Sequence, residues 1–142
     1  ERVRDFVRRV WNERDYTEAD RLYHASFRHP ANPGLTGGAA KTPFIRAYHE
    51  AFPDLTVTIE DLVATAEAVV LRYSATGTDL GGFAGRAPSG RTATTWAVSF
   101  LRFHGEQVVS EWVGADYLGL FEHLGVLPSP WNAAETDSNA AI

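Results

Sequence analysis

A long β-hairpin followed by a short helix constrains the fold of this chain more than any other feature of its sequence. The stretch Arg91–Gly125 predicts two strands joined by a tight turn at His104-Gly105-Glu106, then a helix over Tyr117–Leu124. Successive side chains of a strand point to opposite faces of a sheet, so alternate residues of both strands share one face. We therefore expect the interior of the protein to be built against one face of this hairpin.

The pairing of the two strands about the turn determines which residues share that face. The predicted opposite pairs are Phe100 with Ser110, Val98 with Trp112, and Thr94 with Asp116. We expect the inward face to be aromatic and apolar, with one carboxylate at its far end. Its predicted residues are Thr94, Trp96, Val98, Phe100, Arg102, Ser110, Trp112, Gly114 and Asp116.

Asp116 has two interpretations. A carboxylate beside apolar walls is a candidate acid or base, because desolvation raises its pKa towards the working range. Asp is also a preferred N-cap residue, and Asp116 directly precedes the predicted helix Tyr117–Leu124. Both interpretations stay open on the sequence alone.

Size and charge exclude several classes of function. The 142 residues suffice for one domain, predicted at residues 1–128, with a flexible tail at 129–142. The net charge is −5 and no basic run exceeds two residues, so no nucleic-acid partner is expected. There is no cysteine for a disulfide or thiolate site, and no apolar run of about 18 residues for a membrane span. We expect a cytoplasmic protein.

Three helices are predicted before the strands. Apolar residues at helical spacing indicate the first within Val3–Trp11, and a second follows at residues 17–26. The third covers residues 42–52, with an N-capping Thr before Pro43 at the first helical position. The Pro- and Gly-rich residues 30–41 are either a lid over a pocket mouth or a solvated connector.

Two further strands are predicted between the third helix and the hairpin. Apolar residues alternate with polar ones at 55–60, and a longer strand covers 68–79. Helices that precede a long antiparallel sheet indicate an α+β domain. Glycines at the bends favour a curved sheet that wraps the three helices and is closed by the short C-terminal helix. Such a cone, open at one end, is a natural ligand pocket.

Four motifs, in this order and spacing, carry a family resemblance over about residues 2–127. They are VWNERDYTEADRLYHASFRHP, AFPDLTVTIEDLVA, TGTDLGGFAGRAPSGR and FLRFHGEQVVSEWVGADYLGLFEHLG. With them the chain resembles the SnoaL-like polyketide cyclases, or ester cyclase group, of the NTF2-like/ketosteroid isomerase superfamily. The resemblance implies a cone-shaped fold, a homodimer or homotetramer formed through the sheet, and an apolar cavity for a flat polyketide-derived ligand. It implies no cofactor.

The resemblance also implies catalytic residues. The family's acid/base carboxylate lies in a W-x-x-x-D motif, which is Trp112 and Asp116 here, and a family histidine matches His29. Where the family commonly has a histidine after Gly-Thr, this chain has Asp79. If Asp79 and Asp116 lie close together, one pKa rises and the pair supplies an acid and a base. The alternatives are a turn residue for Asp79 and a loop anchor for His29.

Six aromatic residues are predicted to line the cavity, since aromatic walls suit a flat conjugated ligand. They are Trp112, Trp96, Tyr73, Phe100, Phe83 and Tyr48. An aromatic-rich core would give the same pattern. No set of three or four ligands is implied by the sequence, so a metal site is not expected.

These residues lead to a functional hypothesis with two alternatives. We expect a cofactor-independent cyclase in which Asp116 takes a proton from a carbon between two carbonyls and returns one to the new alkoxide. Asp79 or His29 would assist by hydrogen bonding. The first alternative is epoxide opening, isomerisation or hydration in the same pocket, and the second is a non-catalytic ligand-binding domain. The direction in which Asp116 points distinguishes catalysis from binding.

Overall fold

The computed structural model describes residues 1–127 of the chain, in which helices precede and follow the strands of a single sheet. Helix α1 (Arg2–Phe6) continues as a π-helical segment (Val7–Asn12), and a 3₁₀ turn (Tyr16–Glu18) leads into α2 (Ala19–Leu22). The remaining elements are α3 (Gly38–Ala51), β1 (Thr56–Ala64), β2 (Ala68–Thr78), β3 (Thr92–His104), β4 (Gln107–Ala115) and α4 (Tyr117–His123). The predicted tail at 129–142 lies outside the described residues.

The four strands form an antiparallel sheet in the order β1-β2-β3-β4, and the helices pack on one of its faces. The core between them is apolar, as the spacing from Val3 to Val10 predicts, and Val10 is fully buried. Each such aliphatic side chain contributes roughly 1.5–3 kcal/mol by leaving water. The predicted α+β fold, with a curved sheet around three N-terminal helices and a short C-terminal helix, is confirmed.

Helix α3 begins five residues before Pro43, the first helical position that the Thr-Pro signal predicts. Gly37, with φ of 65°, precedes the first turn, so Pro43 lies inside the helix rather than at its start. The hydroxyl of Thr42 is not an N-cap, because it donates back to the carbonyl of Gly38 at 2.9 Å. Residues 38–41 were expected in a loop, and the earlier start places Lys41 on a buried helical turn.

Helix α2 ends earlier than predicted. Tyr23 leaves the helix with ψ of 126° and forms a parallel bridge to Val108 of β4. The backbone N–H of His24 then donates to the carbonyl of Val108 at 2.9 Å. This strand-like contact competes with further helical turns, and it holds Tyr23 beside β4.

The predicted register of the central hairpin is wrong by two residues. Phe100 pairs with Trp112, because Arg102 pairs with Ser110 and Phe103 with Val108, which leaves Val109 as a bulge. A slip of two residues keeps the same side chains together, so Trp112 and Phe100 do share a face.

That shared face is the outer one, so its predicted inward orientation is also wrong. Trp96 is 52% exposed and Trp112 is 64% exposed. The inner face instead carries mainly small residues from β3 and residues of odd number from β4: Ala93, Ala97, Ser99, Leu101, Glu111, Val113 and Ala115. In β4 the reason is the bulge, because an extra residue exchanges the faces of the residues beyond it, and no periodicity in the sequence marks it. Strand β3 has no extra residue; its small side chains face the helices, and the large aromatic ones that were assigned inward face outward.

Candidate active site

A cavity lies between the helices and the inner face of the sheet. It offers about 90 Å³ to the centres of water molecules, and about 810 Å³ of empty space when its open mouth is included. A ligand larger than a few waters would therefore fill the mouth as well as the interior. The described walls are almost entirely apolar.

The two sides of the cavity differ in the size of their side chains. Large aromatic residues of the helical side form one wall: Trp11, Phe44, Tyr48 and Phe52. Small residues on neighbouring strands form the other: Ala75, Gly77, Ala93, Thr95 and Ala115. Small side chains on a sheet opposite aromatic rings leave a slot suited to a flat ligand.

Gly77 shows why one of these positions carries no side chain. A Cβ atom added there would lie 2.8 Å from Cβ of Phe52, closer than real Cβ contacts allow. The glycine thus lets the aromatic wall approach the sheet at this end of the cavity.

A buried ion pair is the main polar feature of the cavity wall. Nζ of Lys41 lies 2.8 Å from Oε2 of Glu111, and the two side chains are 3% and 8% exposed. The hydroxyl of Tyr23 donates to the same Oε2 at 3.2 Å. Within residues 1–127, no group donates a hydrogen bond to the other oxygen, Oε1.

The bulge at Val109 is the reason that Glu111 points inward. Val108, before the bulge, is fully buried, and in a regular strand the next inward residues would be Ser110 and Trp112. The extra residue exchanges the faces, so Glu111 turns to the cavity and Trp112 to the outer surface. Lys41 reaches Glu111 from the first turn of α3, and Tyr23 from the bridge at the end of α2.

Phenol groups supply further polar atoms to the cavity. The hydroxyls of Tyr48 and Tyr117 lie 3.3 Å apart. Burial, reinforced by this contact, raises the pKa of Tyr48 well above its usual value. Burial is also the main cause that raises the pKa of Tyr73 to about 12. Both phenols therefore stay protonated at neutral pH and can donate hydrogen bonds.

Asp116 is the N-cap of α4. Its Oδ1 accepts a hydrogen bond from the backbone N–H of Gly119 at 2.9 Å. The residue is half-buried and is not part of the cavity wall, although its neighbours Ala115 and Tyr117 are. Of the two interpretations of Asp116, the helix cap is confirmed, and the expectation that its side chain projects from an inward strand face is wrong.

Asp79 is buried, as expected for its strand face, but its carboxylate is used by its own loop. Its two oxygens accept hydrogen bonds from the backbone N–H groups of Gly82 and Ser89, both at 3.0 Å. The turn-residue alternative is thereby confirmed. Neither Asp79 nor Asp116 lines the cavity, so the structure does not bring these two carboxylates together there.

His29 packs against the cavity wall from outside. Its ring lies 4.6 Å from that of Phe44, and its Nδ1 accepts a hydrogen bond from the N–H of Ala31 at 3.2 Å. Burial and then the positive charge of Lys41 lower the pKa of His29, while Glu111 opposes them. The imidazole is therefore neutral at neutral pH, and its contacts fit the loop-anchor alternative.

The six predicted aromatic residues divide into three groups. Tyr73 and Tyr48 line the cavity as predicted. Phe83 packs behind the aromatic wall, with its ring 5.3 Å from that of Tyr48 and 5.5 Å from that of Phe52. Trp96, Trp112 and Phe100 lie on the outer face, because the face assignment of the hairpin was inverted.

The sequence analysis missed the ion pair and three of the four residues of the aromatic wall, Trp11, Phe44 and Phe52. Lys41 fell in a predicted loop, and Glu111 was placed on the outer face. The available signal for an inward lysine was the position of Lys41, three residues before Phe44 in a stretch that is compatible with a helix. Within residues 1–127, no three His, Cys, Asp or Glu side chains are grouped as metal ligands. Each helix of that part of the chain is too short or too polar to cross a bilayer.

The fold and the cavity define an NTF2-like protein, in which a curved sheet and helices enclose a ligand site. The family model for SnoaL-like polyketide cyclases matches residues 1–124, and the chain belongs to this family. No curated protein sequence is significantly similar to the chain.

Several solved structures have a similar fold. TsrD from Streptomyces laurentii is 28% identical with a TM-score of 0.80, over 89% of this chain and 93% of its own. AclR from Streptomyces galilaeus, described as a candidate hydroxylase, is 26% identical with a TM-score of 0.78, and the match covers 99% of this chain and 89% of AclR. IdmH from Streptomyces antibioticus, a candidate polyketide cyclase, is 23% identical with a TM-score of 0.73, and the match covers 88% of this chain and 96% of IdmH. At this identity the likeness supports the fold alone.

Proposed function

We propose that the protein is a cofactor-independent cyclase that closes a ring in a polyketide-derived intermediate by aldol-type acid/base catalysis. The observation that carries this proposal is the apolar slot between aromatic and small-residue walls, with one buried ion pair on its side. Membership of the SnoaL-like family supports the same reaction class.

The reaction needs few protein groups. A base removes a proton from a carbon between two carbonyls, and the resulting enolate carbon attacks a second carbonyl of the same molecule. A carbon–carbon bond forms, and the new alkoxide takes up the proton. A positioned acid/base group accelerates such a transfer by about 10²–10⁴-fold, and orientation of the chain in a dry slot contributes more.

Asp116, Asp79 and His29 stay predictions as catalytic residues. Asp116 lies beside two residues of the cavity wall, and its cap uses Oδ1 only. His29 touches the wall through Phe44. Asp79 is the least suited of the three, because both of its oxygens accept backbone hydrogen bonds.

The test is a reconstitution with a minimal aromatic polyketide synthase that releases a linear poly-β-ketone. We expect the purified protein to redirect the spontaneous mixture towards one ring-closed product, measured by chromatography and mass spectrometry. Ala115→Leu, which fills the slot from the sheet side, is the matched control and should remove the effect. An identical product mixture with and without the wild-type protein would refute the proposal.

The likeness to AclR favours hydroxylation as a second candidate. The same reconstitution separates the two candidates, because cyclisation without loss of water leaves the mass unchanged and hydroxylation adds one oxygen atom.

We also propose that the active form is a homodimer or homotetramer assembled through the outer face of the sheet. The exposure of Trp96 and Trp112 on that face supports this assembly, since large exposed apolar patches commonly mark interfaces.

A further inference from the structure

We propose that Glu111 is the acid/base residue of the cavity, with Lys41 and Tyr23 as its positioning residues. The proposal deepens the cyclase function and rests on it for the identity of the reaction. It assigns the proton-transfer role to a carboxylate inside the slot, five residues before Asp116 in the chain.

The hydrogen bonds of Glu111 leave one of its oxygens available. Lys41 and Tyr23 both donate to Oε2, at 2.8 Å and 3.2 Å. Two donors from different elements fix the carboxylate plane, since α3 supplies one and the segment after α2 supplies the other. Oε1 has no donor within residues 1–127, and Glu111 is part of the cavity wall. A carboxylate fixed through one oxygen and free at the other is arranged to accept a proton from a ligand.

Stability alone does not account for this pair. Removal of two charges from water costs several kcal/mol per ion, and buried ion pairs are often no more stabilising than apolar residues of similar volume. A pair on the wall of a ligand cavity has another use, because charges held in a dry site stabilise charge that develops during a reaction.

The pair can carry both proton steps of an aldol closure. Oε1 of Glu111 takes the proton from the carbon between two carbonyls, and the enolate oxygen becomes negative near the ammonium of Lys41. The enolate carbon then forms the new carbon–carbon bond, and the protonated Glu111 returns its proton to the alkoxide. Atoms and charge balance, with no other reactant.

The ionisable groups around Glu111 leave Lys41 as its charged neighbour at neutral pH. Tyr23 and Tyr73 face it from the segment after α2 and from β2, and burial raises the pKa of both phenols. His29 acts on it from the loop before α3, and burial lowers the pKa of that imidazole. Lys41 is therefore the cation in direct contact with the proposed base, at 2.8 Å.

The test uses 5-nitrobenzisoxazole, a flat apolar bicyclic molecule that reports a base in an apolar pocket. The base removes the ring C–H proton, the N–O bond breaks, and a coloured cyanonitrophenolate forms. We expect the wild-type protein to accelerate this ring opening and Glu111→Gln to lower the rate by about 10²-fold or more. Glu60→Gln, the same change on an exposed residue of β1, is the matched control and should keep the wild-type rate.

Two outcomes of this assay overturn the proposal. The first is a Glu111→Gln protein as active as wild type, and the second is a wild-type protein that does not raise the rate above that in buffer. Loss of the rate in Asp116→Asn but not in Glu111→Gln would instead assign the base to Asp116.

Glu111→Gln leaves Lys41 buried without a counter-charge, and this could prevent folding. A second variant keeps the proposal testable in that case. The double variant Lys41→Met/Glu111→Leu removes both charges and keeps the volume, so it should fold, as circular dichroism can verify. It should also lack the ring-opening rate, and a folded double variant with the wild-type rate would overturn the proposal.

Lys41 has a separate readout as a positioning residue. Lys41→Met should move the midpoint of the pH–rate profile upward, because the carboxylate loses its neighbouring positive charge. Lys41→Arg should restore part of the shift. An unchanged midpoint in Lys41→Met would remove Lys41 from the proposal.

The two proposals fail in different ways. A wild-type protein that opens the nitrobenzisoxazole through Glu111 but does not redirect the poly-β-ketone would refute the cyclase function and keep the base. A Glu111→Gln protein that still closes the polyketide ring would refute the role of Glu111 and keep the cyclase function.

Discussion

Asp116 shows how one side chain can serve two roles that the sequence does not separate. Its Oδ1 caps α4 through Gly119, and the other oxygen is free of that bond. A cap satisfies a backbone donor that would otherwise lack a partner at the start of the helix. The residue therefore matters to the fold whatever its part in the reaction.

We expect Asp116→Ala to lower the free energy of unfolding by about 1 kcal/mol, the usual loss for an N-cap. Asp116→Asn keeps a cap acceptor and should remain within a few tenths of a kcal/mol of wild type. Urea denaturation followed by circular dichroism measures both. Equal losses for the two variants would contradict the capping role. Cyclisation by Asp116→Asn at the wild-type rate would contradict the catalytic role predicted for Asp116.

His49 is a buried histidine outside the proposed chemistry. Its Nδ1 accepts a hydrogen bond from the hydroxyl of Tyr16 at 2.7 Å, and its Nε2 donates to the carbonyl of Trp11 at 2.9 Å. Burial lowers its pKa below the ordinary value of 6.5, Arg14 and Arg46 add to this, and the Trp11 carbonyl opposes it. The folded protein therefore holds this imidazole neutral.

The consequence is a loss of stability in acid. The unfolded chain binds the proton of His49 more readily than the folded one, so stability rises with pH between the folded pKa and about 6.5. The contribution is complete above that range and is lost as the pH falls through the folded pKa. We expect urea denaturation at decreasing pH to show this decline and His49→Gln to flatten it. His104→Gln, at an exposed position, is the control, and an equal slope in both variants would contradict the assignment.

At the scale of elements, the bulge in β4 decides the chemistry of the cavity wall. Val109 is the residue without an opposite partner, and Glu111 and Trp112 take their faces from it. Bulges commonly lie beside functional sites, where they change the direction of a side chain.

Deletion of both Val109 and Ser110 should exchange the faces of the following residues, because Glu111 would then directly follow an inward-facing residue. Glu111 would leave Lys41, and Trp112 would enter the space beside the helices. We expect the free energy of unfolding to fall by about 3–5 kcal/mol, the usual effect of a buried charge without its partner. Urea denaturation measures the loss, and tryptophan fluorescence should shift to the blue if the strand keeps its new register. Deletion of Val109 alone is the control, because it removes the bulge and keeps the faces of Glu111 and Trp112. A double-deletion variant as stable as the single deletion would contradict this account.

Elements with a plain periodic signal were predictable, and elements set by tertiary contacts were not. Alternation in β2 gave the inward position of Tyr73 correctly, because that strand follows a simple period against β3. The start of α3 was misplaced, because Gly37, with φ of 65°, turns the chain into the helix ahead of the Thr-Pro signal. The end of α2 was misplaced, because the bridge from Tyr23 to Val108 is a contact between distant segments.

For the whole molecule, the outer face of the sheet is the feature that the helices leave uncovered. Trp96 and Trp112 are the most conspicuous side chains there. We expect Trp112→Glu to convert the proposed oligomer to a monomer, because a charge at the centre of an apolar interface loses its solvation without gaining a partner. Analytical ultracentrifugation measures the mass. Leu80→Glu, which alters an exposed apolar residue away from the sheet, is the control. A wild-type monomer would contradict the predicted assembly.

The sequence led to the fold and to the family, but only to part of the candidate site. The order of helices and strands and the SnoaL-like motifs carry information over the whole chain, so one misplaced boundary does not alter the result. The site depends on single faces and single contacts. Glu111 was missed because one bulge reverses a strand face, and the largest aromatic residues were assigned inward although the sheet keeps small ones there.

The unequal walls of the slot have a consequence for divergence. The helical wall is made of rings that also contact one another, such as Trp11 with Tyr48 and Phe44 with Tyr48. Ala75, Ala93 and Ala115 on the opposite wall project methyl groups into open space. Larger aliphatic residues at these three positions would change the depth and outline of the slot step by step, with the ring contacts undisturbed. New substrate preferences can thus arise on the sheet, separately from the packing that maintains the scaffold.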